Sequence, residues 1–102
     1  MARTRPAEEV LDELRGGPLT FGAMLRSLRK CDDLTLAVFS RKLGISVSHL
    51  CDIEKGRRTV SAGRAARWAK LLGHPVPLFV QLAVQTELDS SNLKLKVEIK
   101  AA

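Results

Sequence analysis

The chain contains 102 residues, of which 45% are hydrophobic and 4% aromatic, and its formal net charge at pH 7 is +6. This length fits one compact domain and excludes a large enzyme scaffold. Because a domain of this size buries only roughly two thirds of the surface that its unfolded chain exposes, we expect it to bind partners at its surface rather than in a deep pocket.

The two cysteines, Cys31 and Cys51, lack the paired spacing of a disulfide scaffold or a metal site. The sequence contains neither the apolar segment of a signal peptide nor a run of about 18 apolar residues, the length that a membrane-spanning helix needs. We therefore expect a cytoplasmic protein with reduced thiols, no membrane contact, and no metal or other cofactor.

The first predicted helix covers residues 6–15. Pro6 begins it, acidic residues occupy its first turn, and Gly16-Gly17-Pro18 ends it. Thr20 is predicted to cap a second helix. The apolar side of this helix consists of Phe21, Met24, Leu25 and Leu28, and the opposite side presents Arg26, Arg29 and Lys30.

Two short helices are predicted next, over residues 35–43 and 46–54, with Thr35 and Ser46 as their caps. They are joined through Gly44. Glycine readily adopts the left-handed backbone angles that a tight turn between two helices requires. The pattern therefore predicts a helix-turn-helix.

Another predicted helix follows a Ser61 cap and ends at Gly73. Pro75 and Pro77 then place a last helix at residues 76–88, whose apolar side is wider than the core of one monomer needs. This excess of apolar surface predicts a partner helix.

The end of the chain changes its period. Apolar and charged residues alternate from Leu93 to Ile99, which predicts one β-strand. A single strand leaves its backbone groups unpaired, so we expect it to pair with a second copy of the chain or with a partner protein, or to order only on binding. The dimer or partner contacts predicted from the last helix and the strand are Leu78, Leu82, Leu93, Leu95, Val97 and Ile99.

The positive charge lies in the middle of the chain. Residues 20–73 hold 11 basic and 4 acidic residues, whereas residues 1–19 hold 3 and 4, and residues 74–102 hold 3 of each. A localised basic face is typical of proteins that bind a polyanion, although a solvated basic surface gives the same charge. We therefore expect an N-terminal tail and short helix at 1–19, a binding core at 20–73, and a C-terminal helix and strand at 74–102.

The predicted helix-turn-helix carries a specific residue pattern. It combines a small residue at Ser40, the turn glycine Gly44 and the segment Ile53-Glu54-Lys55-Gly56-Arg57-Arg58 with apolar residues at Phe39, Leu43, Ile45, Leu50 and Ile53. In this pattern the chain resembles the phage-repressor-like (Xre-type) DNA-binding family, whose motif typically ends in I-E-x-G-x-R. The resemblance implies an all-α, lambda-repressor-like bundle of about five helices, to which we add the N-terminal helix and one C-terminal β-strand.

The resemblance also implies which residues contact DNA. The second helix of the motif would enter the major groove by its N-terminal end and read bases through Val47, Ser48, His49 and Asp52. Helix N-termini and flexible cations suit phosphate oxygens, so the implied phosphate contacts are Thr35, Arg41, Ser46, Arg57 and Arg58. The family often carries glutamine at the positions of Leu36 and Val47, and these aliphatic residues shift specificity towards DNA shape, phosphate contacts and dimer spacing.

The function implied is a transcriptional regulator, expected to repress its own operon, that binds an inverted-repeat operator in double-stranded DNA as a homodimer and is then associated with the nucleoid. Two alternatives stay open. One is an antitoxin that also covers a toxin protein through helix 6–15 or the terminal strand, and the other is a protein-binding module without DNA contact. We do not expect an enzyme, because the two histidines are isolated and no phosphate-binding glycine loop is present.

Overall fold

The computed structural model describes residues 19–100, so the predicted helix at 6–15 lies outside the described residues. Five helices follow one another in the described part: α1 Phe21–Cys31, α2 Leu36–Leu43, α3 Val47–Glu54, α4 Ala62–Leu72 and α5 Val76–Ser90. Each occurs where the sequence predicts a helix. None of these five helices is long and apolar enough to cross a membrane.

The first four helices begin in the same way. The residue before each helix is a serine or threonine in an extended conformation, and its side-chain oxygen accepts a hydrogen bond from the backbone N–H three residues further on. This bond satisfies one of the N–H groups that the first turn of a helix leaves without a partner. The four caps are Thr20, Thr35, Ser46 and Ser61, with bonds of 3.1, 3.2, 3.1 and 3.2 Å.

Aromatic rings form the centre of the core. Phe21 of α1 stacks on Trp68 of α4, with ring centroids 6.3 Å apart, and meets Phe79 of α5 edge to face at 5.7 Å. Such pairs add to the free energy gained by burying apolar surface. The other buried hydrophobic residues are Met24, Leu25, Phe39, Leu43, Leu50, Ile53, Val60, Ala65, Ala69 and Ala83. The two helices of the motif and the last helix therefore share one core.

The start of α1 is also tied to the last helix by a hydrogen bond between distant residues. The backbone N–H of Phe21 donates to Thr86 Oγ1 at 2.9 Å, and the same hydroxyl donates to the carbonyl oxygen of Leu82 at 2.8 Å. The first N–H groups of a helix have no acceptor within the helix itself. The side chain of Thr86 supplies an acceptor for the N–H of Phe21. This contact helps to fix the position of α1 on α5.

The predicted C-terminal strand at Leu93–Ile99 is wrong, because residues 19–100 contain no β-strand. A strand needs a neighbouring strand for its hydrogen bonds, and the other regular elements of this range are all helices. The side-chain amide of Gln85 on α5 forms two hydrogen bonds with the backbone of this segment, in place of a neighbouring strand. Its Nε2 donates to the carbonyl oxygen of Leu95 and its Oε1 accepts from the backbone N–H of Val97, both at 2.8 Å. The segment therefore lies against a helix, and the all-α helix-turn-helix fold fits the described residues.

Candidate DNA-binding surface

The turn between α2 and α3 is held by its backbone and by one buried ring. Gly44 ends α2 with a φ of 76°, which is in the left-handed region, and the backbone N–H of Ile45 donates to the carbonyl oxygen of Ser40 at 3.0 Å. From the core side, the indole Nε1 of Trp68 donates to the carbonyl oxygen of Leu43 at 3.1 Å. This side-chain bond satisfies a carbonyl in the last turn of α2 and fixes the angle at which α3 leaves the turn.

Helix α3 packs very closely on α1. A Cβ atom at Gly22 would overlap the backbone carbonyl oxygen of Ile53, so α1 and α3 approach each other through the bare backbone of a glycine. This contact was missed in the sequence because an isolated glycine within a helix pattern carries no signal of what lies opposite it. Gly22 therefore sets the distance between the first helix and the second helix of the motif.

An ion pair joins the same two helices. Arg29 of α1 binds Glu54 at the end of α3 with two hydrogen bonds, Nε to Oε2 at 2.8 Å and Nη2 to Oε1 at 3.0 Å, and its Nη1 donates to the carbonyl oxygen of Leu34 at 3.0 Å. The two side chains are only 13% and 5% exposed. The hydrogen bond with Glu54 is the main cause that raises the pKa of Arg29 above its ordinary value. The sequence pattern placed Arg29 on the solvent side of α1, whereas the structure uses it to orient α3.

The exposed side of α3 carries the predicted base-reading residues. Leu50 and Ile53 are buried against the core, whereas Val47 and Ser48 are exposed. The half-buried residues of this helix include His49, Cys51 and Asp52. The four predicted residues Val47, Ser48, His49 and Asp52 are therefore all accessible on one short helix, and their role in reading bases stays a prediction.

The pKa of His49 responds to nearby positive charge. Partial burial lowers its pKa below the ordinary value of 6.5, the cations Arg58 and Arg64 lower it further, and Asp52 acts in the opposite direction. The positive charges that act on His49 thus come from the loop after α3 and from the first turn of α4.

Arg64 is a further basic residue whose charge acts on His49, and it is not among the DNA contacts predicted from the sequence. It is the third residue of α4, half-buried, and its guanidinium carbon lies 5.7 Å from the centre of the Trp68 ring. This stacking restrains the long Arg64 side chain against Trp68. The available signal was a cation in the first turn of a helix, where the helix dipole usually favours acids.

The predicted phosphate contacts are accessible. Thr35 and Ser46 are exposed N-caps whose side-chain oxygens accept backbone N–H groups, so their hydroxyl hydrogens can still donate to a phosphate oxygen. The cations of this set, Arg41, Arg57 and Arg58, are all exposed. No helix of the described range has an acidic residue in its first turn, so acids do not compensate the positive ends of the helix dipoles. Contact with phosphate stays a prediction for all five residues.

Three of the six predicted dimer or partner residues are exposed and three are half-buried. Leu78, Leu93 and Leu95 are 45%, 48% and 60% exposed, whereas Leu82 packs against the core. Val97 and Ile99 are half-buried.

Between residues 19 and 100, no group of three or more His, Cys, Asp or Glu side chains is placed to hold a metal ion.

Comparisons with known proteins agree with this geometry. A helix-turn-helix domain family matches residues 20–88, which is more than half of the chain. Comparisons with curated proteins and with solved structures returned no match. The matched range begins at the cap of α1 and ends within α5, so it includes α2, α3, the Gly44 turn and the core that holds them. The chain therefore belongs to the helix-turn-helix domain family, in agreement with its resemblance to Xre-type proteins.

Proposed function

We propose that this protein is a transcriptional regulator that acts in the cytoplasm by binding double-stranded DNA through the exposed side of α3. The observation that carries the proposal is the exposed side of the second motif helix, where Val47 and Ser48 are accessible and the exposed cations Arg57 and Arg58 follow directly after the helix, within a matched helix-turn-helix domain. In this docking mode, Val47, Ser48 and Asp52 face the base edges of the major groove.

The phosphate backbone is held on both sides of α3. The N-termini of α2 and α3 offer exposed hydroxyl groups and uncompensated helix dipoles at Thr35 and Ser46, and Arg41, Arg57 and Arg58 supply flexible cations. These contacts position α3 on the duplex and supply the electrostatic part of the affinity.

Specific binding needs a second copy of the chain. Helix α3 has 8 residues, a length of about 12 Å at 1.5 Å per residue, and therefore spans only about three or four base pairs. A two-fold symmetric dimer would place a second α3 one DNA turn away, about 34 Å, on an inverted repeat. The exposed leucines Leu78, Leu93 and Leu95 are the surface that we assign to this dimer.

The first test measures how affinity for duplex DNA depends on salt. Each phosphate contact contributes about 0.9 to the slope of log affinity against log salt, so replacing Arg57 and Arg58 with alanine should reduce the slope by up to about two. The matched control replaces Lys94 and Lys96, two exposed cations of the C-terminal segment, and removes the same charge. An equal loss in both variants would show that net charge alone governs binding and would contradict the assigned surface.

An antitoxin is the second candidate function. It is favoured by the exposure of Leu93 and Leu95 in a segment that only partly packs on α5. We expect the product of the neighbouring gene to co-purify with the wild-type chain and not with a Leu93→Ser/Leu95→Ser variant that retains DNA binding. Dimer formation unchanged in that variant, together with no bound partner for the wild type, would remove both roles from the segment.

A further inference from the structure

Asp52 is an acid in the middle of a basic surface. Helix α3 has two acidic residues, and Glu54 is taken up by the buried pair with Arg29. The side chain of Asp52 remains 36% exposed, one turn after Ser48 on the helix that we propose to enter the groove. An uncompensated carboxylate at that place would be repelled by the phosphates of any DNA sequence.

The turn after α3 gives this carboxylate a partner. Gly56 has a φ of 78°, and the backbone N–H of Arg57 donates to the carbonyl oxygen of Asp52 at 2.8 Å, which folds the chain back onto the last turn of the helix. The reversal brings Arg57 Nη1 to 3.6 Å from Asp52 Oδ1. Arg57 is thus placed beside Asp52 by the backbone, and its side chain is 66% exposed.

We propose that Asp52 determines specificity by holding Arg57 away from phosphate on DNA that lacks the right base and releasing it on DNA that has it. This inference rests on the proposed function. The base is cytosine, whose exocyclic amino group donates in the major groove to a carboxylate. When Asp52 accepts that hydrogen bond, the cytosine amino group replaces Arg57 as a donor to the carboxylate, and Arg57 is free to contact the backbone.

The exposure of the pair makes such an exchange feasible. Ion pairs between exposed side chains are weak, and a phosphate oxygen or a base donor competes with them readily. On DNA without the cytosine, Asp52 either keeps Arg57 or faces the groove uncompensated, and both outcomes weaken binding. The acid therefore lowers affinity for incorrect sequences more than it raises affinity for the correct one, which is a recognised route to specificity.

Asp52→Asn tests the inference on a random-sequence duplex, because it removes the charge and keeps the shape. We expect the variant to bind this duplex about three- to tenfold more tightly than the wild type, with a salt slope steeper by about one, the contribution of one further phosphate contact. Glu87→Gln, at an exposed position on α5, is the control for loss of one negative charge and should change neither value by as much. Unchanged far-UV circular dichroism would show that both variants are folded.

The role of Arg57 is tested by a double-mutant cycle. In an Arg57→Ala background, Asp52→Asn should no longer steepen the salt slope. The same steepening with and without Arg57 would overturn the exchange and leave only general repulsion.

Selection from a pool of randomised duplexes is the second readout. Sites selected by the wild type should share one cytosine in each half-site, and sites selected by Asp52→Asn should lose that preference. If wild-type binding depends on salt but Asp52→Asn has the same affinity and slope, the inference fails and the proposed function stands. If the wild type binds no duplex at all, both fail.

Discussion

Breaking the pair of Arg29 and Glu54 on one side should destabilise the protein strongly, because it leaves a largely buried charge without its partner between α1 and α3. Replacing Glu54 with alanine removes two charge-assisted hydrogen bonds of 2.8 and 3.0 Å and leaves the guanidinium with the carbonyl oxygen of Leu34 as its remaining protein partner among these contacts. Breaking a buried ion pair on one side costs about 3 to 5 kcal/mol.

The expected loss lies at the lower end of this range, at about 3 kcal/mol, because a guanidinium that is 13% exposed can recover some contact with water. For a domain near 100 residues, a loss of this size lowers the melting temperature by about 12 to 24 °C. Urea denaturation followed by circular dichroism measures the change in the free energy of unfolding. Glu87→Ala, at an exposed position on α5, is the matched control and should stay within about 0.5 kcal/mol of the wild type.

A second variant separates the charge from the packing. Arg29→Met combined with Glu54→Leu replaces the pair by apolar side chains and should be more stable than Glu54→Ala alone, since it leaves no buried charge without a partner. A loss below about 1 kcal/mol in Glu54→Ala, the value of a surface pair, would refute this reasoning. So would a double variant that is no more stable than Glu54→Ala.

Gly22, Trp68 and His49 each give a further prediction. Gly22→Ala should destabilise the protein by about 1 to 3 kcal/mol in urea denaturation, because the new methyl group overlaps the carbonyl oxygen of Ile53. This cost exceeds the gain from the better helix propensity of alanine. A more stable variant would contradict the close approach of α1 and α3. Trp68→Phe should cost about 1 to 3 kcal/mol in the same assay by leaving the carbonyl oxygen of Leu43 without its indole donor, and no change would show that this bond does not hold the turn. The lowered pKa of His49 means that the unfolded chain binds more protons than the folded one, so its contribution to stability is lost as the pH falls below 6.5. His49→Gln should lose less stability than the wild type over that pH range, and parallel curves would contradict the shift.

The C-terminal segment shows where sequence reasoning failed. The alternation from Leu93 to Ile99 is a correct description of the side chains, but hydrogen bonding of a strand depends on a second strand that no part of residues 19–100 supplies. The pairing with Gln85 was not predictable, because a glutamine side chain gives no sign in the sequence of which backbone groups it will bind.

Local chemistry explains why the helices and the motif were predictable. A cap such as Ser46 bonds an N–H three residues away, and Gly44 needs only its own backbone freedom, so both signals are complete within a few residues. The candidate base-reading residues came from the resemblance to Xre-type proteins, and the buried positions of Leu50 and Ile53 leave that side of α3 accessible.

The sequence by itself determined the five helices, the turn between α2 and α3, and the concentration of positive charge in residues 20–73, because periodicity, caps and charge are properties of neighbouring residues. Only the tertiary structure decided how α3 is held and what surrounds it. The pairing of Arg29 with Glu54 joins residues 25 positions apart, as does the bond from Trp68 to Leu43. Contacts at that separation depend on how helices pack, and packing is set by the shapes of all the core residues together rather than by any local pattern.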